Sequence, residues 1–444
     1  MGLQITRSSQ RLLFVALLLI TLLLLFLTFF QRFDHTSHAY PRPPVSAGYP
    51  PTRTHLDPDR LLTQLRSLQS NFSAVCPGLF NPVHPQAGLT LGQERRYVHL
   101  RNPKLVGEGS SRIQGRGRYM LVTSIRQIQA QLPDLLNTLL ILTTFLGPDR
   151  LSFSILEGPS DDCVPEAHIR LQTRQSKIDF DHHNRIRVLA ELRNRAFEPL
   201  WEDGPMGRDI LAVVVFNDVY LRASDALELL HQHLMAGAKS GKETGVTTGM
   251  DYLERWPEWY YDVWVGRTVD TGDLFYPMPD THWNPSENLF PDSPSTLTKY
   301  RSLRPFPVYA SWNGLAVLSA TPFLPPHNVR FRRGDAGNLE CAASECGLIA
   351  QDFWKVGMGR VQVIPAIQLG YTEKVSREIR DELIKTQSKL GWADGIPPSK
   401  LDTTVEWSTH PPAKVRCHPW PETDGLSANV WATTIWVDPY NGKE

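Results

Sequence analysis

The chain has 444 residues, with 46 Lys and Arg against 46 Asp and Glu, and 41% of it is hydrophobic. That hydrophobic share supplies a core and excludes disorder throughout, while the balanced charge leaves no bulk field for a polyanion, so no nucleic-acid partner is expected. Five Cys are too few for a disulfide scaffold.

Residues 12–30 carry no charge, and only Thr21 and Thr28 interrupt the apolar run. As a helix this segment reaches about 28 Å, close to a bilayer's hydrocarbon thickness. Phe29, Phe30, Gln31 and Arg32 follow where a cleaved signal would end in small residues, so an uncleaved anchor is expected. Arg7 and Arg11 favour a cytosolic tail at residues 1–11, which leaves the rest facing a lumen as a single-pass type II chain. There the sequon at Asn71 can be glycosylated and some of the five Cys can pair. Residues 31–117, broken by Pro, His, Ser and Gly apart from a helical piece near 61–68, read as a luminal stem.

From residue 118 the pattern changes to alternating apolar and amphipathic segments. Strands are expected at 119–125, 151–156 and 210–216, and helices at 135–145, 185–200 and 223–234. A Trp/Tyr-rich region and a Pro-rich loop at 277–307 follow, and segments 315–320, 344–356 and 361–364 resume the theme. The alternation predicts an α/β fold with a mostly parallel sheet flanked by helices.

The continuously apolar strand ILAVVVF ends in Asn217-Asp218, where open α/β sheets collect ligands. A carboxylate there can hold a divalent cation against a diphosphate, or simply begin a turn. The preceding strand opens into a loop containing Glu157 and Asp161, which suit contact with a nucleoside and equally suit a turn. In the helix at 185–200, Ile186, Leu189, Leu192, Ala196, Phe197 and Leu200 share one arc, and Arg193 falls inside it. A guanidinium there requires an anion, either a carboxylate such as Asp161 or a ligand phosphate. Glu345 and Asp352 lie on the apolar stripe of the helix at 344–356 and should be paired, capping or lining a cavity. Asp251, Asp262, Arg267, Asp270 and Asp273 stand among Trp and Tyr, a mixture that fits sugar rings or a core rim, and Trp312-Asn313 forms a turn able to meet an acceptor sugar.

Taken together, Phe216-Asn217-Asp218-Val219, LAELRNRAFEPL, MDYLE with YYDVWVGR, SWNGLAVL, and CAASECGLIAQDFW with GMGRVQVIP resemble the fungal capsule-associated, cryptococcal-type mannosyltransferases, glycosyltransferase family 69. The similarity spans residues 118–371, and VRCHPW and WATTIWVDP resemble that family's tail. The resemblance implies a GT-A-like catalytic domain at 118–375, a packed extension at 376–444, and a type II membrane protein of the Golgi or another secretory compartment. It further implies transfer of mannose from GDP-mannose to a mannose-containing glycan in α-1,3 linkage, with Mn2+ or another divalent cation at Asp218 and Asn217 beside it. Glu157, Asp161, Arg193 and Arg267 would contact the donor, and Trp312 and Asn313 the acceptor. An α-linked donor giving an α product means retention, with Glu345 the preferred carboxylate and Asp352 and Asp273 behind it. A transferase using another nucleotide sugar and a non-catalytic capsule or wall assembly factor are the competing readings.

Overall fold

The computed structural model describes residues 63, 82–102, 117–126, 128–157, 171–172, 184–202, 207, 209–253, 260–276, 288–335, 340–398, 405–419 and 434–439. The expected anchor at 12–30, the helical piece near 61–68 apart from Thr63, Asn71 and Asp161 lie outside them. Among the described residues no helix is long and apolar enough to cross a membrane.

In chain order the elements are α1 (Leu91–Tyr97), β1 (Arg118–Ile125), α2 (Leu132–Leu146), β2 (Leu151–Glu157), β3 (Leu171–Gln172), α3 (Arg185–Trp201), β4 (Ile210–Phe216), α4 (Ala223–Ser240), β5 (Val246–Tyr252) and β6 (Arg267–Thr268). They continue with α5 (Pro294–Arg301), β7 (Phe306–Ala310), β8 (Leu315–Ser319), α6 (Glu345–Lys355), β9 (Val361–Gly370), α7 (Glu373–Lys389) and a ribbon of β10 (Val415–Cys417) and β11 (Ile435–Val437).

One nine-stranded sheet runs β3-β2-β1-β4-β8-β5-β9-β7-β6. The β1–β2, β2–β3, β1–β4 and β5–β9 pairs are parallel; β8 is antiparallel to both β4 and β5, and β7 is antiparallel to β9 and β6. The expected mostly parallel sheet is thus mixed, with four parallel and four antiparallel pairs, because β8 at its centre and β7 near one edge run opposite to the other strands. Because successive side chains alternate, Val213 and Val215 of β4 join the core containing Ala196 and Phe197 of α3 and Ile349 and Phe353 of α6. Ala212, Val214 and Phe216 join the core containing Leu139 of α2 and Leu227 of α4 on the other face. Burial on both faces is why β4 reads as an unbroken apolar run.

Residues 82–102, expected as stem, belong to this body. The Val83 and His84 amides donate to Asp134 at 2.8 Å each, and the Tyr119 hydroxyl donates to the Leu100 carbonyl at 3.0 Å. Buried Glu228 of α4 accepts from Arg96 Nε (2.7 Å) and Nη2 (2.8 Å), the Tyr97 hydroxyl (2.9 Å) and Gln232 Nε2 (2.8 Å). Thr90 and Gln93 form a capping box that starts α1, which explains a helix with little apolar periodicity. The expected boundary between 375 and 376 falls inside α7, whose Val375, Ile379 and Leu383 are buried.

The tail is held to the body as well. Arg416 N donates to the Gly272 carbonyl at 2.9 Å, and Cys417 is disulfide-bonded to Cys341, closing a sequence separation of 76 residues. A loop of that length implies that replacing both Cys by Ser lowers the unfolding free energy by about 4 kcal/mol. Urea denaturation of the two proteins under oxidising conditions, followed by tryptophan fluorescence, measures this difference.

Candidate active site

Several strands end on one edge of the sheet. Phe216 of β4 lies level with Thr123 of β1 and Leu315 of β8, and Tyr252 of β5 lies level with Gly370 of β9. The Tyr220 amide donates to the Gly370 carbonyl at 3.0 Å, which draws the chain after β4 against the end of β9. Thus β4 delivers Asn217 and Asp218, β5 delivers Asp251, and β9 delivers Tyr371 to the same place.

The turn between β7 and β8 pins that edge. Asn313 and Gly314 have left-handed φ values of 57° and 72°. A Cβ on Gly314 would meet Val219 Cγ1 at 2.9 Å, with Asp251 Oδ2 and the Tyr371 hydroxyl at 3.5 Å, so only glycine lets the backbone lie here without strain. The Asn217 amide donates to the Gly314 carbonyl at 2.8 Å. Asn313 donates from Nδ2 to the Gly249 carbonyl (2.6 Å) and Ser311 Oγ (2.7 Å), and its Oδ1 accepts from the Tyr260 hydroxyl. Its backbone amide donates to Asp262 Oδ2 at 2.9 Å.

Three acids surround this turn. Asp218 exposes much of its own surface but sits in a recess deep enough for desolvation to raise its carboxyl above the usual range, with the charge of Arg193 opposing the rise. Asp251 is 1% exposed, and burial, then the neighbouring Asp262, raise it well above the carboxylate range. Asp262 is raised to about 7 by burial, against the Asn313 amide, Arg267 and Arg193, while Glu345 adds to the rise. The mutual influence of Arg193, Glu345, Asp218 and Asp262 puts them in one electrostatic site.

Arg193 comes from α3. Its Nε donates to Glu345 Oε1 at 2.8 Å, and its guanidinium lies 4.8 Å from the Trp312 ring centroid and 5.9 Å from that of Phe331. Of the two partners expected for it, a carboxylate is present, but that carboxylate is Glu345. Its Nη groups make no hydrogen bond to a described residue. Glu345 is 2% exposed in the first turn of α6, where Ser344 supplies the cap by accepting from the Cys346 amide at 3.1 Å. The Trp312 Nε1 is buried without a hydrogen-bond partner among the described residues.

Asn217, Asp218, Arg193, Glu345, Trp312 and Asn313 thus gather at one edge. Glu157 ends β2 level with Ile125, its side chain outside the described residues. Three expected residues are engaged elsewhere. Arg332 binds both oxygens of Asp352, at 2.7 and 2.8 Å, and Arg416 binds both oxygens of Asp273 at 3.2 Å. Arg267 spends its guanidinium on the carbonyls of Arg416, Gly266 and Val263, at 2.7, 2.8 and 3.3 Å. Each is spent on a segment outside its own stripe or aromatic run, Asp352 on the stretch carrying Arg332 and both Asp273 and Arg267 on Arg416 of β10, so these side chains hold segments together. Asn313 likewise has its whole side chain bound to protein. Sequence reasoning named Asp251 and Asp262 only within the acidic, aromatic stretch that fits sugar rings or a core rim, without a specific role, and did not single out Tyr371, although Asp251 lies near the end of its strand much as Asp218 follows β4.

A carboxyl raised on folding binds more protons in the native chain than in the unfolded one between the two pKa values. The stabilisation from neutral Asp262 is therefore full below about pH 4 and is lost as pH rises through about 7, and Asp251, raised by burial and by Asp262, acts in the same direction. Asp262→Asn keeps an acceptor for the Asn313 amide and removes that loss. The variant should be more stable than the parent at pH 8 and show a flatter stability profile between pH 4 and 8, measured by chemical denaturation at each pH.

Among the described residues no three His, Cys, Asp or Glu side chains are grouped to hold a metal ion. A family model described as Cryptococcal mannosyltransferase 1 matches residues 118–352, more than half of the chain, and takes in every site residue above except Tyr371. The chain is also 48% identical over 442 residues to alpha-1,3-mannosyltransferase CMT1 of Cryptococcus neoformans var. neoformans serotype D, across 95% of this chain and 91% of that protein. With the sheet edge, its acids and its arginine all inside the matched region, the chain is a glycosyltransferase that belongs to the cryptococcal mannosyltransferase family.

Proposed function

We propose that this chain is a single-pass type II membrane enzyme of the secretory pathway that transfers mannose from GDP-mannose to a mannose hydroxyl of a glycan, in α-1,3 linkage and with retention. The relative's name supports the linkage, and the apolar run at 12–30 supports the anchor. The observation that carries the reading is the Arg193–Glu345 pair beside Asp218: a guanidinium held by one nitrogen on a buried carboxylate, with its other two nitrogens unspent toward described residues.

In the transfer, the bond between the anomeric carbon and the diphosphate oxygen breaks with its electron pair going to GDP, and the acceptor oxygen bonds to that carbon on the face just vacated. The acceptor's proton passes to the departing diphosphate oxygen. Arg193 receives the charge that develops on the diphosphate, and Glu345 fixes the guanidinium in place. Glu345 is then a positioning residue; attack by it on the sugar would first require release from Arg193. Its bound state favours same-face displacement over a covalent mannosyl intermediate.

A divalent cation, Mn2+, fits as an ion shared between Asp218 and the donor's diphosphate, since such ions are commonly bound by one or two carboxylates plus substrate phosphates. Bound there, it would neutralise diphosphate charge. Asp218 is the protein group assigned to it.

Full-length chain in detergent should consume GDP-mannose in the presence of Mn2+ and an α-mannoside acceptor, and stop when the ion is chelated. Asp218→Ala and Arg193→Ala should each lower kcat/KM by at least about a hundredfold. Activity equal to the parent in Asp218→Ala, or consumption of a different nucleotide sugar in place of GDP-mannose, overturns the assignment. In sealed vesicles the bulk of the chain should resist protease added outside; digestion overturns the orientation.

A further inference from the structure

The acid one residue before the end of β5 has no role in the transfer step above. Asp251 accepts from the Tyr371 hydroxyl at its Oδ2 (2.9 Å), and its carbonyl accepts from the Tyr261 amide at 3.0 Å. Its Oδ1 is buried and has no hydrogen-bond partner among the described residues. An acceptor in that state is costly to leave unmade and marks a place where a ligand group belongs. A second such atom, the Trp312 Nε1, lies one residue before Asn313 on the same turn. One orphaned acceptor and one orphaned donor thus flank the Asn313–Gly314 turn.

Asp251 is tied to the donor edge by two routes. Gly314, whose added Cβ would lie 3.5 Å from Asp251 Oδ2, accepts from the amide of Asn217. Gln131 Nε2 donates to the Tyr371 carbonyl at 3.1 Å and reaches the Asp218 carbonyl at 3.5 Å. Tyr371 is held from outside by the Tyr261 ring, with centroids 4.5 Å apart. A change at the Asp251–Tyr371 pair is therefore one side chain away from Asp218.

The chemistry of the pair selects its ligand. A phosphate would bring full negative charge to a buried acid that has no ion-pair partner among the described residues, a costly desolvation. A cation needs ionised ligands, and burial holds both Asp251 and Asp262 toward the neutral form. A hydroxyl suits Oδ1 in either protonation state, since it can donate to the carboxylate or accept from the carboxylic acid. Burial and the nearby Asp262 favour the neutral acid, consistent with a hydroxyl partner.

We propose that Asp251, oriented by Tyr371, is a specificity-determining residue whose Oδ1 hydrogen-bonds one hydroxyl of the donor's mannosyl ring. This rests on the mannosyl-transfer reading given above. The test compares kcat and KM of the full-length parent, Asp251→Ala and Tyr371→Phe with GDP-mannose and its 2-, 3-, 4- and 6-deoxy analogues. In the parent, one deoxy analogue should lose at least about tenfold in kcat/KM relative to GDP-mannose, because a site built to bond a hydroxyl rejects the analogue lacking it. In Asp251→Ala that penalty should shrink to about twofold or less while the penalties at other positions persist. Tyr371→Phe keeps the carboxylate but frees its orientation, so the same penalty should fall part of the way; this variant carries the test if Asp251→Ala turns over too slowly. Penalties unchanged from the parent in either active variant overturn this inference alone. A parent that does not turn over GDP-mannose overturns the mannosyl-transfer reading and this inference with it.

Discussion

Asn313 has left-handed backbone geometry, and each of its side-chain polar atoms is bound to protein. Through it and Gly314, the end of β4, the end of β5, the start of β8 and Asp262 are held in one arrangement. An Asn tolerates positive φ better than most residues, and its amide can imitate backbone hydrogen bonding. A larger side chain at 314 would press on Val219, the residue directly after Asp218. Asp218 and Asp251 therefore keep their spacing only while this turn stays as it is.

The charges around the turn divide into two environments. Arg193 stands over Trp312 with its charge held by Glu345, while Asp251 and Asp262 lie deeper and tend toward neutrality. On the reading proposed above, a diphosphate suits the first environment and the hydroxyls of a sugar ring suit the second.

Much of this was legible from residue order. The run ILAVVVF matched β4 at both ends because a strand buried on both faces has no polar positions to blur it, and Asp218 followed by the strand-end rule. The partner of Arg193 was less accessible, since Glu345 is 152 residues away and only the packing of α3 against α6 brings them together. The strand at 361–364 was read short because Pro365 interrupts it; β9 passes through a bulge there, between Val363 and Gln368, and runs on to Gly370. Losing that extension concealed Tyr371. The strand β5 escaped notice because VTTGMDY carries Thr and Gly where a buried strand is expected to be apolar, and with it went the significance of Asp251. Its Thr residues are satisfied internally: Thr247 by His233 and Gln362, and Thr248 by Ser311.

The segment carrying α1 bears on how the protein can be shortened. A recombinant fragment begun at Arg118, where the family match starts, would lack Tyr97 and Leu100, which are 2% and 0% exposed in the core shared with α2 and α4. It would also strip Asp134 and Glu228 of the donors contributed by Val83, His84, Arg96 and Tyr97, leaving two carboxylates at a wetted apolar surface. A fragment that keeps residues 82–102 retains these contacts, and trimming to the homology boundary would yield material prone to precipitate.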